Sequence, residues 1–220
     1  MIYILAVIAI SGTFLSAQSK LSLGIGGIYA SPTGDFGDVY KDGFGGLASL
    51  NYSLTDNIQL SVSSGYEQFS FNNEKFNQLL TDFFSSFGTT YNVSVDAKLK
   101  VIPILLGGKY FLTNTNFRPY AALDLGVDII SVDGSSIKVN GETMDAVKSE
   151  SKVATAWGIG VGFIYRFAHS ISLDVNGKIN GNSLQVGTNF SASSGGNSSS
   201  QSSNSTVTYF SIGAGLIFEL

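Results

Sequence analysis

The chain contains no cysteine, only one histidine and three prolines, and charged residues make up just 13% of its 220 positions. Without cysteine there is no disulfide, no thiolate metal site and no lipid anchor on an N-terminal cysteine. His169 is the sole imidazole. A net charge of -4 leaves no basic footprint, so no nucleic-acid partner is expected. Beyond the N-terminal segment, no run of 18 apolar residues exists to make a helical membrane span. Mean hydropathy is nonetheless positive. A soluble domain has little use for that combination, whereas a wall of membrane-crossing strands produces it.

The apolar stretch Ile2 to Leu15, followed by Ser16, Ala17 and the polar Gln18-Ser19-Lys20, is too short for a membrane helix. It reads as the core of a secretory signal peptide spanning residues 1–17, although no Lys or Arg precedes it. Residues 20–220 then form one domain.

What is present is alternation of period two. In Tyr209–Leu220, one face carries Phe210, Ile212, Ala214, Leu216, Phe218 and Leu220. The other carries Tyr209, Ser211, Gly213, Gly215 and Glu219, with Ile217 the apolar exception. One face against lipid and the other against a polar interior gives this pattern. It recurs upstream: Leu23, Ile25 and Tyr29 oppose Ser22, Gly24 and Gly26; Leu50 and Tyr52 oppose Asn51; Ile58, Leu60, Val62 and Tyr66 oppose Gln59, Ser61 and Glu67. Strand six is the clearest, with Trp157, Ile159, Val161, Phe163 and Tyr165 against Gly158, Gly160, Gly162 and Arg166. In the stretch from Tyr91 to Leu112 the apolar phase slips at Ile102-Pro103, and a β-bulge there would account for it. Three short connections alternate with four long ones, at about residues 31–43, 71–90, 131–152 and 187–206. The expectation is an all-β, eight-stranded, antiparallel up-and-down transmembrane β-barrel, with short periplasmic turns and long extracellular loops.

Several elements carry a family likeness: Ile102-Pro103-Ile104 leading to Lys109-Tyr110-Phe111, the strand opening Arg118-Pro119-Tyr120, and the apolar-ended last strand. On these the chain resembles the outer membrane protein β-barrel domain, or porin-family, group of small barrels similar to OmpA and OmpX. The terminal Leu220 departs from the more usual Phe, with Phe218 two places before it. The resemblance implies location in the cell outer membrane and insertion by the barrel assembly machinery, which would read Phe210, Ile212, Leu216, Phe218 and Leu220.

Charges on the inward faces are Glu67, Lys109, Asp124, Asp128, Arg166, Asp174, Lys178 and Glu219. An eight-stranded barrel is just wide enough to be filled by side chains, so these should form a paired polar network, with Arg166 near Asp174. Inward glycines at Gly24, Gly26, Gly213 and Gly215, and at Gly158, Gly160 and Gly162, either make room for that network or leave a small cavity.

In the second long loop Phe76, Leu79, Leu80, Phe83, Phe84 and Phe87 recur at helical spacing, with Asn72 or Asn73 as the cap. That helix is expected as a lid on the rim, or as a docking face for an extracellular protein partner. Ser191–Ser205 is almost pure Ser, Asn, Gly and Gln and is expected to be disordered. Asp35, Asp38 and Asp133 fit no calcium-loop template. No metal, cofactor or catalytic residue is expected. Known barrel activities toward lipid A use a His or Ser at the outer surface, and His169 sits in a periplasmic turn.

The function expected is structural, surface-interaction or adhesion, through the long loops. The alternative is a narrow channel or carrier for small molecules, hydrophobic ones included. Outer-membrane lipid and lipopolysaccharide are the expected surroundings, with the protein a monomer.

Overall fold

The structure is a computed structural model that describes residues 20–84, 93–132, 136–139, 142–144, 150–183, 190–194, 197–201 and 207–220. The signal segment 1–17 lies outside them. Eight long strands close into an antiparallel barrel: β1 (Leu21–Thr33), β2 (Tyr40–Ser53), β3 (Ile58–Phe71), β5 (Lys98–Phe111), β6 (Phe117–Val132), β9 (Glu150–Arg166), β10 (Ile171–Asn182) and β13 (Val207–Glu219). Each pairs with its neighbour in the chain, and β1 pairs with β13 from Ser22↔Glu219 to Thr33↔Thr208 to close the wall.

Closure leaves no strand edge unpaired, which is what hydrocarbon demands of a backbone. The apolar face of every strand points outward. Ile25, Leu106, Leu125, Val153, Ile159, Val161 and Ile212 are all exposed on the outer wall, while Ser22, Asn51, Gln59, Ser63, Asp124 and Ser211 are buried on the inner one. Aromatic rings cover two outward-facing glycines: Trp157 lies over Gly181 and Phe210 over Gly177. They shield backbone that would otherwise face lipid bare.

The phase slip at Ile102-Pro103 is not a bulge. Pairing of β5 with β6 runs without a shift from Leu99↔Val132 through Pro103↔Asp128 to Phe111↔Tyr120. Leu99 and Val101 point inward into an apolar layer, whereas Ile102, Ile104 and Leu106 point to lipid. The interior itself changes from apolar to polar at that level, and a periodicity reading registers this as a change of face. The register shift in the wall lies instead between Tyr40 and Gly43, where β2 meets β3.

The long connections carry their own structure. Helix α1 (Asp35–Val39) follows Gly34, whose φ of 58° suits a residue without a Cβ. Helix α2 (Asn73–Phe84) is capped by Asn72, whose side-chain oxygen accepts from the Lys75 amide at 3.3 Å. Short strands β4 (Val93–Asp96), β7 (Ser136–Val139) and β8 (Glu142–Met144) form a three-stranded sheet joining the second and third loops. In the fourth loop, where disorder is expected, β11 (Phe190–Ser194) and β12 (Asn197–Gln201) pair as a hairpin. The antiparallel ends of β10 and β13 bring the two halves of that loop together, so their backbone groups can satisfy one another.

Candidate functional site: the layered interior and the loop rim

Inward-facing residues stack in three layers. At the loop end lies an apolar layer of Ala30, Phe69, Leu99, Val101, Ile130, Ala154, Val207 and Tyr209, completed by Phe36 from α1. The Phe36 ring sits 5.2 Å from that of Phe69, edge-on, and Phe69 sits 5.5 Å from Tyr209. The first long loop therefore folds into the barrel mouth and closes it with a phenylalanine. Sequence reasoning missed Phe36, a single aromatic in a polar loop with no periodicity to mark it.

The middle layer holds the charges, and their pairing runs across the lumen rather than along hairpins. Lys109 on β5 meets Asp174 on β10 at 2.6 Å, and the Tyr120 hydroxyl donates to the same carboxylate at 2.6 Å. Lys178 on β10 meets Asp124 on β6 at 2.5 Å. The Lys109 ammonium also lies 4.6 Å over the Tyr120 ring. Asn182 donates to Asp128 at 2.9 Å, and Asn180 to Ser211 at 2.8 Å. Arg166 does not pair with Asp174 as its hairpin position suggested. It pairs with Glu219 at the short-turn rim. Arg166 stands opposite Ser172 in the hairpin, and Asp174 stands opposite Ile164, one layer deeper.

The third layer, toward the short turns, is apolar again: Phe111, Tyr120, Ala122, Ile164 and Ile217. Ile217, the exception on the polar face of the last strand, belongs here. Arg118 stacks 3.9 Å over the Phe111 ring. Below this layer a polar vestibule of about 440 Å³ opens between the short turns, lined by Ser22, Gln59, Asn116, Arg118, Ser172 and Glu219 among others.

The inward glycines serve two ends. A Cβ at Gly162 would meet the Tyr120 hydroxyl at 2.6 Å, one at Gly160 would meet Lys178 at 2.6 Å, and one at Gly107 would collide with the Asp124 carboxylate. These glycines make room for the network. Gly24, Gly26, Gly213 and Gly215 line a cavity of about 80 Å³, bounded by Tyr209 toward the loops and Ile217 toward the turns.

On the rim, three loops are tied together. Lys41 pairs with Glu74 at 2.9 Å, and Lys75 bonds Asp38 at 3.0 Å and the Gly37 carbonyl at 3.2 Å. Asn73 clamps β4 through both amide atoms, accepting from the Val95 amide at 2.7 Å and donating to its carbonyl at 3.0 Å. Of the apolar face expected on α2, Phe76 packs edge-on against Phe71 at 5.5 Å. The side chains of Leu79, Leu80, Phe83 and Phe84, and the whole of Phe87, lie outside the described residues. On β13, Phe210, Ile212, Leu216 and Phe218 are exposed on the outer wall, as is Leu220 just after the strand. His169 is exposed in the turn between β9 and β10, at the short-turn end. Among the described residues, no group of three or more His, Cys, Asp or Glu converges as a metal cluster.

Among solved structures, the fold is similar to Neisserial surface protein A, with a TM-score of 0.51 and 14% identity over 91% of this chain and 97% of that one. It is also similar to a major outer membrane protein of Thermus thermophilus, with a TM-score of 0.52 and 13% identity over 90% and 99%. Ail, the attachment invasion locus protein of Yersinia pestis, matches with a TM-score of 0.48 and 15% identity over 91% and 99%. No curated protein matches the chain. The model of the outer membrane protein beta-barrel domain matches residues 2–218. With its closed wall and lipid-facing strands, the chain belongs to the outer membrane protein β-barrel domain family and is a protein of the cell outer membrane.

Proposed function

We propose that this barrel is a non-enzymatic surface protein, a filled anchor whose extracellular loops make the functional contacts. The observation that carries this reading is the apolar layer at the loop end, where Phe36, Phe69, Val101 and Tyr209 are at most 6% exposed. Side chains this well packed leave no continuous water path. The described parts of the loops, by contrast, are organised. Three of them are linked by the Lys41–Glu74 and Lys75–Asp38 pairs and the β4–β7–β8 sheet. Ordered loops on a rigid scaffold are where binding concentrates. Lipopolysaccharide surrounds the wall in this reading, and the barrel assembly machinery reads β13.

A carrier for small molecules is the second reading, favoured by the cavity beside Gly24, Gly26, Gly213 and Gly215. Conductance in planar bilayers separates the two. The filled barrel gives no discrete openings, and Gly213→Leu, which fills the cavity, creates none. Discrete openings in the unaltered protein, abolished by that substitution, would establish transport instead.

A further inference from the structure

The central cavity contains a charge imbalance that the ion pairs do not remove. Among the described residues, the layer between the two apolar shells holds Asp124, Asp128, Asp174 and Glu67 against only Lys109 and Lys178. Both lysines are committed, to Asp174 at 2.6 Å and to Asp124 at 2.5 Å. Glu67 and Asp128 remain, 5% and 3% exposed, and both line the cavity. Asp128 accepts from Asn182 at 2.9 Å, and the Tyr209 hydroxyl hydrogen-bonds to Glu67. Glu67 Oε2 is buried and makes no hydrogen bond. Gly45 is what admits the Glu67 side chain here, since a Cβ at that position would meet Glu67 Cγ at 2.9 Å. Arg118 gives no relief, because it lies beyond the Phe111–Ile164–Ile217 layer, beside the Asp56 carbonyl.

A buried carboxylate oxygen without a partner costs the full desolvation of the group, and two carboxylates together cost more. The space beside them is about 80 Å³, enough for an ion with water around it. The available donors are carboxylate, phenol and amide oxygens, the ligand set of a hard cation.

We propose that the barrel interior binds one divalent cation of the calcium class between Glu67 and Asp128, with water completing its shell. Two protein carboxylates and no third acidic ligand place its dissociation constant in the weak range of extracellular calcium modules, roughly 0.1–1 mM. The ion neutralises the layer and ties β3 to β6 over the intervening β5.

The test uses the full barrel refolded in an uncharged maltoside detergent, free of lipid phosphate, with CaCl₂ and TbCl₃ as probes. Calcium at about ten times its dissociation constant should raise the unfolding midpoint by roughly 3–6 °C. Terbium should show emission sensitised by tyrosine, displaced by calcium. Glu67→Gln with Asp128→Asn should abolish both signals. Tyr209→Phe should keep the calcium shift and lose most of the sensitised emission. Asp35→Asn with Asp38→Asn should keep both. The proposal is overturned by a wild-type midpoint indifferent to calcium, by a shift that survives in the Glu67/Asp128 variant, or by one that vanishes in the Asp35/Asp38 variant. If the Glu67/Asp128 variant does not fold, the wild-type shift and the Tyr209→Phe emission still decide.

Discussion

Asp174 binds two partners at once, the Lys109 ammonium and the Tyr120 hydroxyl, each at 2.6 Å. Removing one member of a buried pair leaves the other charge uncompensated. Asp174→Asn should therefore cost about 3 kcal/mol or more, measured by urea unfolding in lipid vesicles. Lys109→Met combined with Asp174→Leu and Tyr120→Phe should restore most of that loss, since apolar groups of similar volume replace the buried pair and leave neither a charge nor a hydroxyl orphaned. At this scale the sequence showed which residues point inward and not whom they meet. The inward face of each strand is legible from its alternation. The partners of Lys109 and Lys178 sit on strands that are not adjacent in the wall, so neither hairpin register nor spacing encodes them. Glu67 and Asp128 likewise sit on β3 and β6 with β5 between them, so no hairpin register relates them.

Among the elements, helix α1 has the largest effect for its length. Phe36 fills the mouth against Phe69, Tyr40 and Tyr209. Phe36→Ala should cost about 3 kcal/mol of stability and expose the first loop to protease under conditions where the unaltered barrel resists. Undiminished stability and protection would show that α1 does not close the mouth. Strand β13 makes a second prediction. Phe218 faces lipid opposite Leu23 and Ile171, and Phe218→Asp places a charge there at a cost of roughly 1–3 kcal/mol. Outer-membrane levels of that variant should fall, and unchanged levels would contradict the outward orientation of the strand. The long barrel strands were legible because lipid on one side and polar groups on the other give a clean contrast. That contrast fails at Ile102-Pro103, where the inner face is apolar too. The five-residue helix α1 is too short for any periodicity to reveal.

For the whole molecule, the two ends differ. The loop end is closed by packed apolar residues and laced by exposed ion pairs, while the short-turn end opens into a polar vestibule. The laces depend on solution conditions. Hydrogen bonding to Lys41, reinforced by its charge, holds the Glu74 carboxyl below its ordinary value of 4.5. A depressed carboxyl contributes above its unfolded value and loses that contribution as pH falls through the folded one. Loosening of the loops should therefore begin below about pH 4.5 and stay absent at neutral pH. High salt should loosen them too, since exposed pairs are screened within about 10 Å at 0.1 M. Limited proteolysis across pH and salt checks both, and the wall should remain intact throughout.

The seam between β1 and β13 also bears on how the cylinder can form. The two cross-lumen ion pairs link β5, β6 and β10 to one another, and neither involves the closing strands. Where β1 meets β13, Gly26 lies opposite Gly215, and the backbones approach so closely that a Cβ on Gly26 would fall 2.9 Å from the Cα of Gly215. A curved, half-finished sheet can thus set its internal charges before its edges touch. The final joining of first strand to last then meets bare backbone on the inner face at Gly26 and Gly215, while Leu23, Ile25 and Tyr29 come against Phe218, Leu216 and Ile212 on the lipid face.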